Sequence, residues 1–306
     1  MKRLMLGDTI GIVAPSSPLY LDGDELTQYW RSAINNLLKL GLNVKVGMFV
    51  SDIDPKKRAN DINYMFYRDD VAAIFCATGG SKSQEVIEHI DFDIISENPK
   101  IIMGQSDVSN LLNTITLKTG MPTFHGQNVL WGIGKHFSEI DEREIFKCLF
   151  NGSFDVFENL RFSNPHCIRS GFCEGVLVGG NFDCFRKFFL NNPDFNFKNK
   201  ILFLESFMLN QKDTIYALAD YCKAGLFNQI SGLVIGNNYY MQRTDYSGMQ
   251  LEEMILHLTD DLSFPILKVD SFGHCMSNII IPIGVQGFLN SDDKVWGVSP
   301  NSINLR

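Results

Sequence analysis

Ser106, Glu205 and His274 each follow a short apolar segment, and their side chains are of the types used in nucleophilic catalysis. Ser106 follows IIMGQ, Glu205 follows ILFL, and His274 follows ILKVDSFG. A serine hydroxyl becomes a good nucleophile when a base accepts its proton, and a carboxylate can orient a histidine that acts as that base. Each residue also has an ordinary structural interpretation, so the residue types alone leave the chemistry open.

Ser106 has two interpretations that the local pattern does not separate. A serine between a strand and a helix is most often a helix cap, whose hydroxyl accepts a hydrogen bond from an early N–H group. It can instead stand at a sharp strand-to-helix turn, although GQSD lacks the second glycine of the G-x-S-x-G motif. Backbone N–H groups at the helix start and at Gly79-Gly80 could then stabilise a developing negative charge.

Glu205 and His274 are equally open at this level. A carboxylate that closes an apolar strand is either solvent-facing or partnered, because burying it alone is costly. Of the six histidines, His125 is the other candidate for a site, since it too follows a strand-like segment. No two histidines have metal-ligand spacing, so the sequence predicts no metal site and no cofactor.

The first half of the chain alternates apolar strands with amphipathic helices. The predicted strands are Thr9–Ala14, Leu42–Val46, Val71–Cys76 and Lys100–Met103, and the predicted helices are Asp24–Leu40, Pro55–Phe66, Ser83–Ile90 and one that begins at Val108. This alternation predicts an α/β fold with a parallel sheet covered on both faces, as in flavodoxin-like or Rossmann-like domains. Ligands of such sheets bind beyond the carboxyl ends of the strands, so the segments that follow these strands should converge on one edge.

Beyond about residue 155 the pattern changes, and we predict an N-terminal domain over residues 1–155 and a C-terminal domain over residues 156–306. Asn151–Asn164 is polar and aromatic, which indicates a linker or crossing segment. The second domain is predicted to be mixed α/β. Its predicted strands are Cys173–Val178, Ile201–Leu204, Leu233–Ile235, Ile266–Val269 and Ile279–Ile281, and its predicted helices lie near Phe182–Leu190, Asp213–Ala224 and Leu251–Leu258.

Composition narrows the class of protein. The 27 basic and 35 acidic residues give a net charge of −8, which disfavours nucleic acid as a partner. The seven cysteines form no C-x-x-C pair, which favours a reducing cytoplasm.

No apolar stretch approaches the ~18 residues that span a bilayer, so no membrane role is predicted. No G-x-G-x-x-G follows the first strand, and Phe75 stands where a P-loop needs its first glycine, so nucleotide-dependent classes are disfavoured.

Short motifs along nearly the whole chain, taken in order, resemble those of the LD-carboxypeptidase family of serine peptidases. The motifs are GDTIGIVAPS (7–16), Gly79-Gly80, IDFD (90–93), NPK (98–100), GQSD (104–107), TFHG (123–126), GGN (179–181), LFLE (202–205), Gly273-His274 and PIG (282–284). Each motif is weak by itself, and their order makes the resemblance specific.

The resemblance implies a catalytic triad, with Ser106 as nucleophile, His274 as general base and Glu205 as the carboxylate that orients the base. It also implies an oxyanion hole made by the backbone N–H groups of Asp107 and of a glycine in Gly79-Gly80. Because Ser106 falls in the first predicted domain and its partners in the second, the active site is expected between domains. For Ser106, the resemblance favours the nucleophile over the helix cap.

The resemblance further implies the substrate and the setting. Members of this family are cytoplasmic, metal-independent and often homodimeric, and typically release D-alanine from the murein tetrapeptide during peptidoglycan recycling. A small peptide substrate and a homodimer are therefore expected. Lys82, beside the glycine pair, is the candidate for the cation that holds the substrate carboxylate, and a surface lysine is an equal interpretation.

Two alternatives stay open. The microcin-immunity branch of the family cleaves a peptidyl-nucleotide, for which Trp131 is a candidate stacking residue, although it also suits a packing role. An inactive binding protein on the same fold is the alternative from another class, and the presence of all three triad residues disfavours it. The chain departs from the family pattern at positions that flank the site and bear on substrate preference: Ser81-Lys82, Gln105, Gln127 and Asn237-Asn238.

Overall fold

The computed structural model describes residues 1–157 and 165–306, so residues 158–164 of the predicted linker lie outside the described part. By their contacts, the described residues form two compact units. The first unit comprises Met1–Ser153, Cys275–Gly284 and Asn304–Arg306, and the second comprises Phe154–His274 and Val285–Ile303. Within the described residues, no helix combines the length and the apolar character needed to cross a membrane.

The first unit is built around a sheet that has six strands in the described chain. Its elements are β1 (Thr9–Val13), α1 (Gly23–Lys39), β2 (Asn43–Val46), α2 (Pro55–Tyr67), β3 (Ala73–Cys76), α3 (Ser83–Ile87), α4 (Phe92–Glu97), β4 (Ile101–Gly104), α5 (Val108–Thr119), β5 (Thr123–His125), α6 (Glu139–Ile145) and, from late in the chain, β11 (Ile281–Ile283), with π-helical segments at Val129–Lys135 and Phe146–Phe150. The strand order is β11-β5-β4-β3-β1-β2, and all neighbours are parallel except β5 and β11. The predicted α/β fold with a parallel sheet is confirmed.

The sequence explains why these elements form where they do. Strands β3 and β4 are buried along their whole length, as the continuous apolar runs predict. Asp54 caps α2 by accepting a hydrogen bond from the Lys56 N–H, and Pro55 occupies the first turn, where its missing N–H costs nothing. Gly120 ends α5 in a left-handed conformation, with φ 70°.

The edge strand β11 corrects one prediction. The apolar run predicts a strand at Ile279–Ile281 in the second domain, whereas in the structure β11 pairs with β5 of the first unit. An apolar run signals burial but does not specify the sheet in which it is buried. Pro282 is tolerated because an edge strand leaves one row of N–H groups without a ladder partner. The compact units are therefore discontinuous in sequence, and the division into folding domains at residue 155 stays a prediction.

The second unit has a mixed sheet, as predicted. Its elements are β6 (His166–Arg169), β7 (Phe172–Asn181), α7 (Phe182–Asn191), β8 (Lys200–Ser206), α8 (Gln211–Lys223), β9 (Gly232–Asn238), α9 (Leu251–Leu258), β10 (Ile266–Lys268), β12 (Gln286–Asn290) and β13 (Val295–Val298). The order is β13-β12-β7-β8-β9-β10-β6, with β7 to β10 parallel and the outer strands antiparallel. Sequence analysis did not predict β6, β12 or β13.

Aromatic packing fixes the helices of the second unit against its sheet. The rings of Phe182 on α7 and Tyr221 on α8 stack at 4.8 Å and 2°, and the Tyr221 hydroxyl donates to the Phe182 carbonyl at 2.7 Å. Phe185, Phe188 and Phe189 extend this buried cluster. Burial of each phenylalanine contributes about 2 kcal/mol. The cluster gives β7 and β8, which carry polar residues at their ends, a rigid support.

Candidate active site

Ser106 stands at a strained turn between β4 and α5. Its φ is 65°, a left-handed conformation that costs a non-glycine residue about 1–2 kcal/mol. Asp107, with φ −60°, is the residue at the helix cap, and within the described chain no side chain caps α5 by a hydrogen bond. The Ser106 carbonyl accepts the Ser109 N–H at 2.9 Å, so the backbone enters the helix directly after the turn. The structure therefore has the sharp turn, and the serine does not act as a cap.

The loop after β3 lies against the Ser106 side chain. A Cβ atom added to Gly79 would lie 2.8 Å from Ser106 Cβ and 3.0 Å from Ser106 Oγ, so only glycine allows this approach. The next residue, Gly80, has φ 140° and a Cβ there would lie 2.0 Å from Ser17 Oγ. Neither glycine N–H donates a hydrogen bond to an acceptor within residues 1–157 and 165–306. Backbone N–H groups without an acceptor are of the type that can stabilise an oxyanion, so the predicted role of Gly79-Gly80 stays a prediction.

The Asp107 carboxylate ties the three strand-end segments together. It is fully buried, and its Oδ2 accepts hydrogen bonds from Ser16 Oγ at 2.6 Å and from the Ser83 N–H at 2.8 Å. Ser16 follows β1, and Ser83 begins α3 after the β3 loop. The predicted convergence of these segments at the carboxyl edge of the sheet is confirmed. Hydrogen bonds to an ionised group are stronger than neutral ones, so this carboxylate is a firm anchor for the turn.

Glu205 and His274 form a hydrogen-bonded pair in the second unit. His274 Nδ1 lies 2.7 Å from Glu205 Oε2, and the two side chains are 12 % and 0 % exposed. The solvent-facing interpretation of Glu205 is wrong, because the carboxylate is buried and partnered. Asn181 Nδ2 donates to the other oxygen, Oε1, at 3.0 Å.

The sheet explains how these side chains meet. Asn181 ends β7 and lies opposite Glu205 in the parallel ladder with β8. The β8–β9 register shifts between Leu204 and Ser206, an irregularity of the kind that re-aims a side chain at a functional site. Glu205 falls at that shift, so its carboxylate can face both the asparagine and the histidine.

The Glu205–His274 pair fixes which imidazole nitrogen carries the proton. A carboxylate only accepts hydrogen bonds, so Nδ1 must donate to Glu205. In the neutral ring, Nε2 is then left as an acceptor. When Nε2 takes up a proton, the adjacent carboxylate stabilises the resulting positive charge. The pair therefore has the chemical character of a general base with its orienting group.

Aromatic rings flank the histidine. The Phe207 ring stacks on the His274 imidazole at a centroid distance of 4.5 Å and an angle of 15°, and it also contacts Tyr239 at 5.2 Å. Phe207 is 36 % exposed and Tyr239 is 38 % exposed. One face of the imidazole is thus covered, and an exposed aromatic surface lies beside it.

The other predicted residues have more ordinary surroundings. Lys82 is half-buried at the N-cap of α3, and no ion pair joins it to any described residue. His125 is fully buried in β5, opposite Ile281. Trp131 packs against Tyr29 at 6.0 Å, and Lys135 Nζ lies over its ring at 5.4 Å.

The structure thus gathers the predicted residues into two sets. Ser106, Asp107, Gly79 and Gly80 lie together in the first unit, and Glu205 and His274 lie together in the second. The sequence pattern does not predict the contacts of Asn181, although the residue lies in the GGN motif. It does not predict the role of Phe207 either, whose only sequence signal is its position two residues after Glu205.

Two family models match the chain. The LD-carboxypeptidase N-terminal domain matches residues 10–126, and the LD-carboxypeptidase C-terminal domain matches residues 174–289. The first match includes the Ser106 turn, and the second includes the Glu205–His274 pair. Together they cover most of the chain and both sets of predicted residues.

Curated relatives and solved structures agree with these matches. "Probable murein peptide carboxypeptidase" of Bacillus subtilis is 29 % identical, covering 96 % of this chain and 92 % of the relative. "Microcin C7 self-immunity protein MccF" of Escherichia coli is 25 % identical, covering 95 % and 93 %.

The fold of the chain is that of the MccF-like structures. An MccF-like protein from Bacillus anthracis has a TM-score of 0.83 at 26 % identity, covering 97 % of each chain. Microcin C7 self-immunity protein MccF in its apo state has a TM-score of 0.88 at 22 % identity, covering 99 % of each chain, and at that identity the likeness concerns the fold alone. On the family matches, this chain belongs to the LD-carboxypeptidase family.

Proposed function

We propose that this protein is a serine carboxypeptidase that hydrolyses the amide between an L-centre and a C-terminal D-amino acid. The substrate class is the murein tetrapeptide, from which it would release D-alanine during peptidoglycan recycling in the cytoplasm. The observation that carries the proposal is the buried Glu205–His274 hydrogen bond of 2.7 Å, because it prepares a base that a nucleophilic serine requires. Family membership and the name of the Bacillus subtilis relative support the substrate class.

The proposed reaction proceeds through an acyl-enzyme. His274 Nε2 accepts the Ser106 proton while Oγ attacks the carbonyl carbon that precedes the terminal residue. The N–H groups of Asp107 and of Gly79 or Gly80 stabilise the oxyanion. His274 then gives its proton to the leaving D-alanine amine, and a water molecule activated by the same imidazole hydrolyses the ester.

Lys82 is retained as the proposed cation for the substrate carboxylate. Its half-buried position beside the Gly80 loop and its lack of an ion-pair partner among the described residues support this role. Lys82→Met should raise KM for the tetrapeptide with little change in kcat, because the contact is the same in the ground and transition states. An unchanged KM would remove Lys82 from the site.

The proposal is tested by D-alanine release from L-Ala-D-Glu-meso-diaminopimelate-D-Ala, with and without a chelator. Ser106→Ala should lower the rate by at least about 10⁴-fold while the protein stays folded. Ser96→Ala is the matched control, because Ser96 is an exposed serine of the same unit whose Oγ donates to the Phe92 carbonyl. Full activity is expected from the control.

The outcomes separate the parts of the proposal. Release that survives the chelator and disappears in Ser106→Ala supports both the serine mechanism and the murein substrate. Release that persists in Ser106→Ala refutes the triad. If the unmodified protein releases no D-alanine but hydrolyses another peptide through Ser106, the mechanism stands and the substrate assignment is wrong.

A second candidate function is cleavage of a peptidyl-nucleotide or similarly modified peptide. The exposed Phe207 and Tyr239 rings beside His274 favour it, since aromatic faces bind planar groups by stacking. A solved MccF structure contains aspartyl sulfamoyl adenosine. Faster hydrolysis of that compound than of the tetrapeptide would favour this candidate, and binding of either compound without turnover would favour an inactive binding protein.

A further inference from the structure

Asn128 is a buried side chain that contacts the backbone directly before Ser106. It follows β5, precedes the π-helical segment Val129–Lys135, and is 2 % exposed. Its Oδ1 accepts the Gln105 N–H at 3.1 Å, and its Nδ2 donates to the Gln105 carbonyl at 3.2 Å. The Asn128 side chain thus bonds both the N–H and the carbonyl of Gln105, the first residue after β4. A neighbouring strand would make the same pair of bonds within a sheet.

The backbone of Asn128 is itself fixed. Its carbonyl accepts the N–H groups of Gly132 at 3.1 Å and Ile133 at 3.0 Å, and the adjacent Leu130 N–H donates to the Ala77 carbonyl at 2.9 Å. The last of these bonds joins the segment to the chain that leads from β3 to Gly79. The clamp on Gln105 is therefore held by parts of the fold outside the Ser106 turn.

The Asn128 amide also lies close to the glycine loop. A Cβ atom added to Gly79 would lie 3.7 Å from Asn128 Nδ2, and the same hypothetical atom would lie 2.8 Å from Ser106 Cβ. A Cβ atom added to Gly104 would lie 3.0 Å from Asn128 Oδ1. The asparagine thus fills the space between the end of β4 and the backbone that faces Ser106 Oγ.

The strain at Ser106 shows why such a clamp matters. A serine at φ 65° would relax to a commoner backbone conformation unless its surroundings prevented it. Relaxation rotates the peptide planes on both sides of the turn, including the Gln105 carbonyl and the Ser106 N–H. Hydrogen bonds to both polar groups of Gln105 oppose this rotation.

We propose that Asn128 is a positioning residue that holds the Ser106 turn in its reactive conformation by clamping the Gln105 backbone. It acts through Gln105, and within the described chain no hydrogen bond joins its side chain to Ser106. The inference rests on the proposed role of Ser106 as the nucleophile, and it adds a residue that none of the motifs above contains.

The test compares Asn128 with a second asparagine whose side-chain amide also bonds one backbone carbonyl and one backbone N–H. Asn63, in α2 of the same unit, donates from Nδ2 to the His89 carbonyl at 3.3 Å and accepts the Asp91 N–H at 3.0 Å. Asn128→Asp and Asn128→Ala are compared with Asn63→Asp and Asn63→Ala. Measured for each are kcat and KM, the rate at which a fluorophosphonate labels Ser106, and the melting temperature.

We expect both Asn128 variants to lose about 100-fold in kcat and in the labelling rate, with KM within about threefold of the unmodified value, because a small displacement of a nucleophile has effects of this size. The Asn63 variants should keep kcat and labelling within about twofold. In Asn128→Asp, protonation of the new carboxyl restores a donor toward the Gln105 carbonyl. The labelling rate of this variant relative to the unmodified protein should therefore rise as the pH falls.

The labelling assay keeps this inference separate from the substrate assignment. If Ser106 is labelled but no D-alanine is released, only the murein substrate is wrong, and the labelling rates still decide the role of Asn128. If folded Asn128→Asp is labelled as fast as the unmodified protein, the positioning role is refuted. If Ser106 of the unmodified protein is not labelled at all, the nucleophile and the positioning role are both refuted.

Discussion

The Ser106 turn in the first unit is a backbone feature, whereas the Glu205–His274 pair in the second unit is a side-chain feature. The turn depends on a positive φ at Ser106 and on the absence of a Cβ atom at Gly79. The pair depends on a buried carboxylate and on a hydrogen bond between residues 69 positions apart. Close packing and hydrogen bonds to the backbone hold the turn, whereas burial and charge hold the side-chain pair.

This difference predicts how each region should fail. A backbone feature is damaged by adding atoms, since the strained turn has one conformation that fits its neighbours. A side-chain pair is damaged by changing charge while the shape is kept, because in the proposed mechanism the carboxylate accepts a hydrogen bond and stabilises a cation. Substitutions of these two kinds can therefore separate the regions experimentally.

Removing the charge of Glu205 should have the largest effect. In Glu205→Gln the shape is kept, but the amide no longer stabilises an imidazolium and can hold the wrong tautomer of His274, so kcat should fall by about 10⁴-fold. Steady-state D-alanine release measures it. Glu253→Gln, on the exposed face of α9 in the same unit, should stay fully active. A loss smaller than tenfold in Glu205→Gln would mean that the pair is structural.

Adding one methyl group at Gly79 should have the next largest effect. The new Cβ would lie 2.8 Å from Ser106 Cβ, so the serine must move, and kcat should fall by about 100-fold. Gly120→Ala is the matched control, because Gly120 has φ +70° and no atom within 4 Å of the added carbon. The control should lower the melting temperature and leave kcat unchanged. Equal kcat in the two variants would refute the steric account of the turn.

The two regions were also predictable to different degrees. The Ser106 turn lies between an apolar strand and a helix that are adjacent in sequence, so periodicity located it within a few residues. Its positive φ was not predictable, because serine has no conformational preference that requires it. The strand-end segments were expected to converge because parallel strands share one carboxyl edge, and Asp107 shows how they are joined.

The Glu205–His274 pair could be recognised only through resemblance to a family. Nothing in the local pattern distinguishes a buried Glu205 from a solvent-facing one, since both end an apolar strand. Asn128 and Phe207 were missed for the same reason: their contacts join segments far apart in sequence. The sheet predicted for β11 was wrong. The five consecutive apolar residues Ile279–Ile283, which include Pro282, indicate a buried segment but do not indicate the strand with which it pairs.

Asp141 is a second buried carboxylate, and we predict that it serves stability alone. In the first unit, its Oδ1 accepts Gln127 Nε2 at 2.8 Å and the Asn278 N–H at 3.1 Å, and its Oδ2 accepts Ser138 Oγ at 2.7 Å and Ser277 Oγ at 2.9 Å. Asp141→Ala removes one acceptor from each of these donors and leaves the Asn278 N–H without this partner, so it should lower the free energy of unfolding by about 3 kcal/mol.

The comparison of Asp141 with Glu205 separates stability from catalysis. Asp141→Ala should keep kcat per folded molecule within about threefold, since among the described residues no hydrogen bond or ion pair joins this carboxylate to His274. Urea unfolding gives the free energy of unfolding. Active-site titration with a fluorophosphonate gives the concentration of active protein, from which kcat per folded molecule follows. A fall in kcat as large as that of Glu205→Gln would show that the Asp141 network also controls the reactive groups.

The smallest effect concerns two thiols, the buried Cys76 in the first unit and the half-buried Cys173 in the second. Burial raises the pKa of the Cys76 thiol, at the end of β3 near the Ser106 turn, and raises that of Cys173 on β7 to about 12. Thiolates are the reacting species, so at pH 8 iodoacetamide should modify neither residue, whereas the exposed Cys167 and Cys275 should react. Raising the pH to 9 should speed the modification of Cys167 and Cys275 by iodoacetamide and leave Cys173 unmodified.

Peptide mass spectrometry of the folded protein measures this, with a urea-denatured sample as the control in which all of these cysteines react. Cys76 and Ser106 occupy neighbouring strand ends, yet Cys76 is fully buried whereas Ser106 is half-buried. Modification of Cys76 at the rate of Cys167 would mean that the Ser106 turn opens readily. That result would contradict the view that close packing holds the Ser106 turn. A closely packed turn keeps iodoacetamide away from the buried side chains around it and leaves only Ser106 accessible.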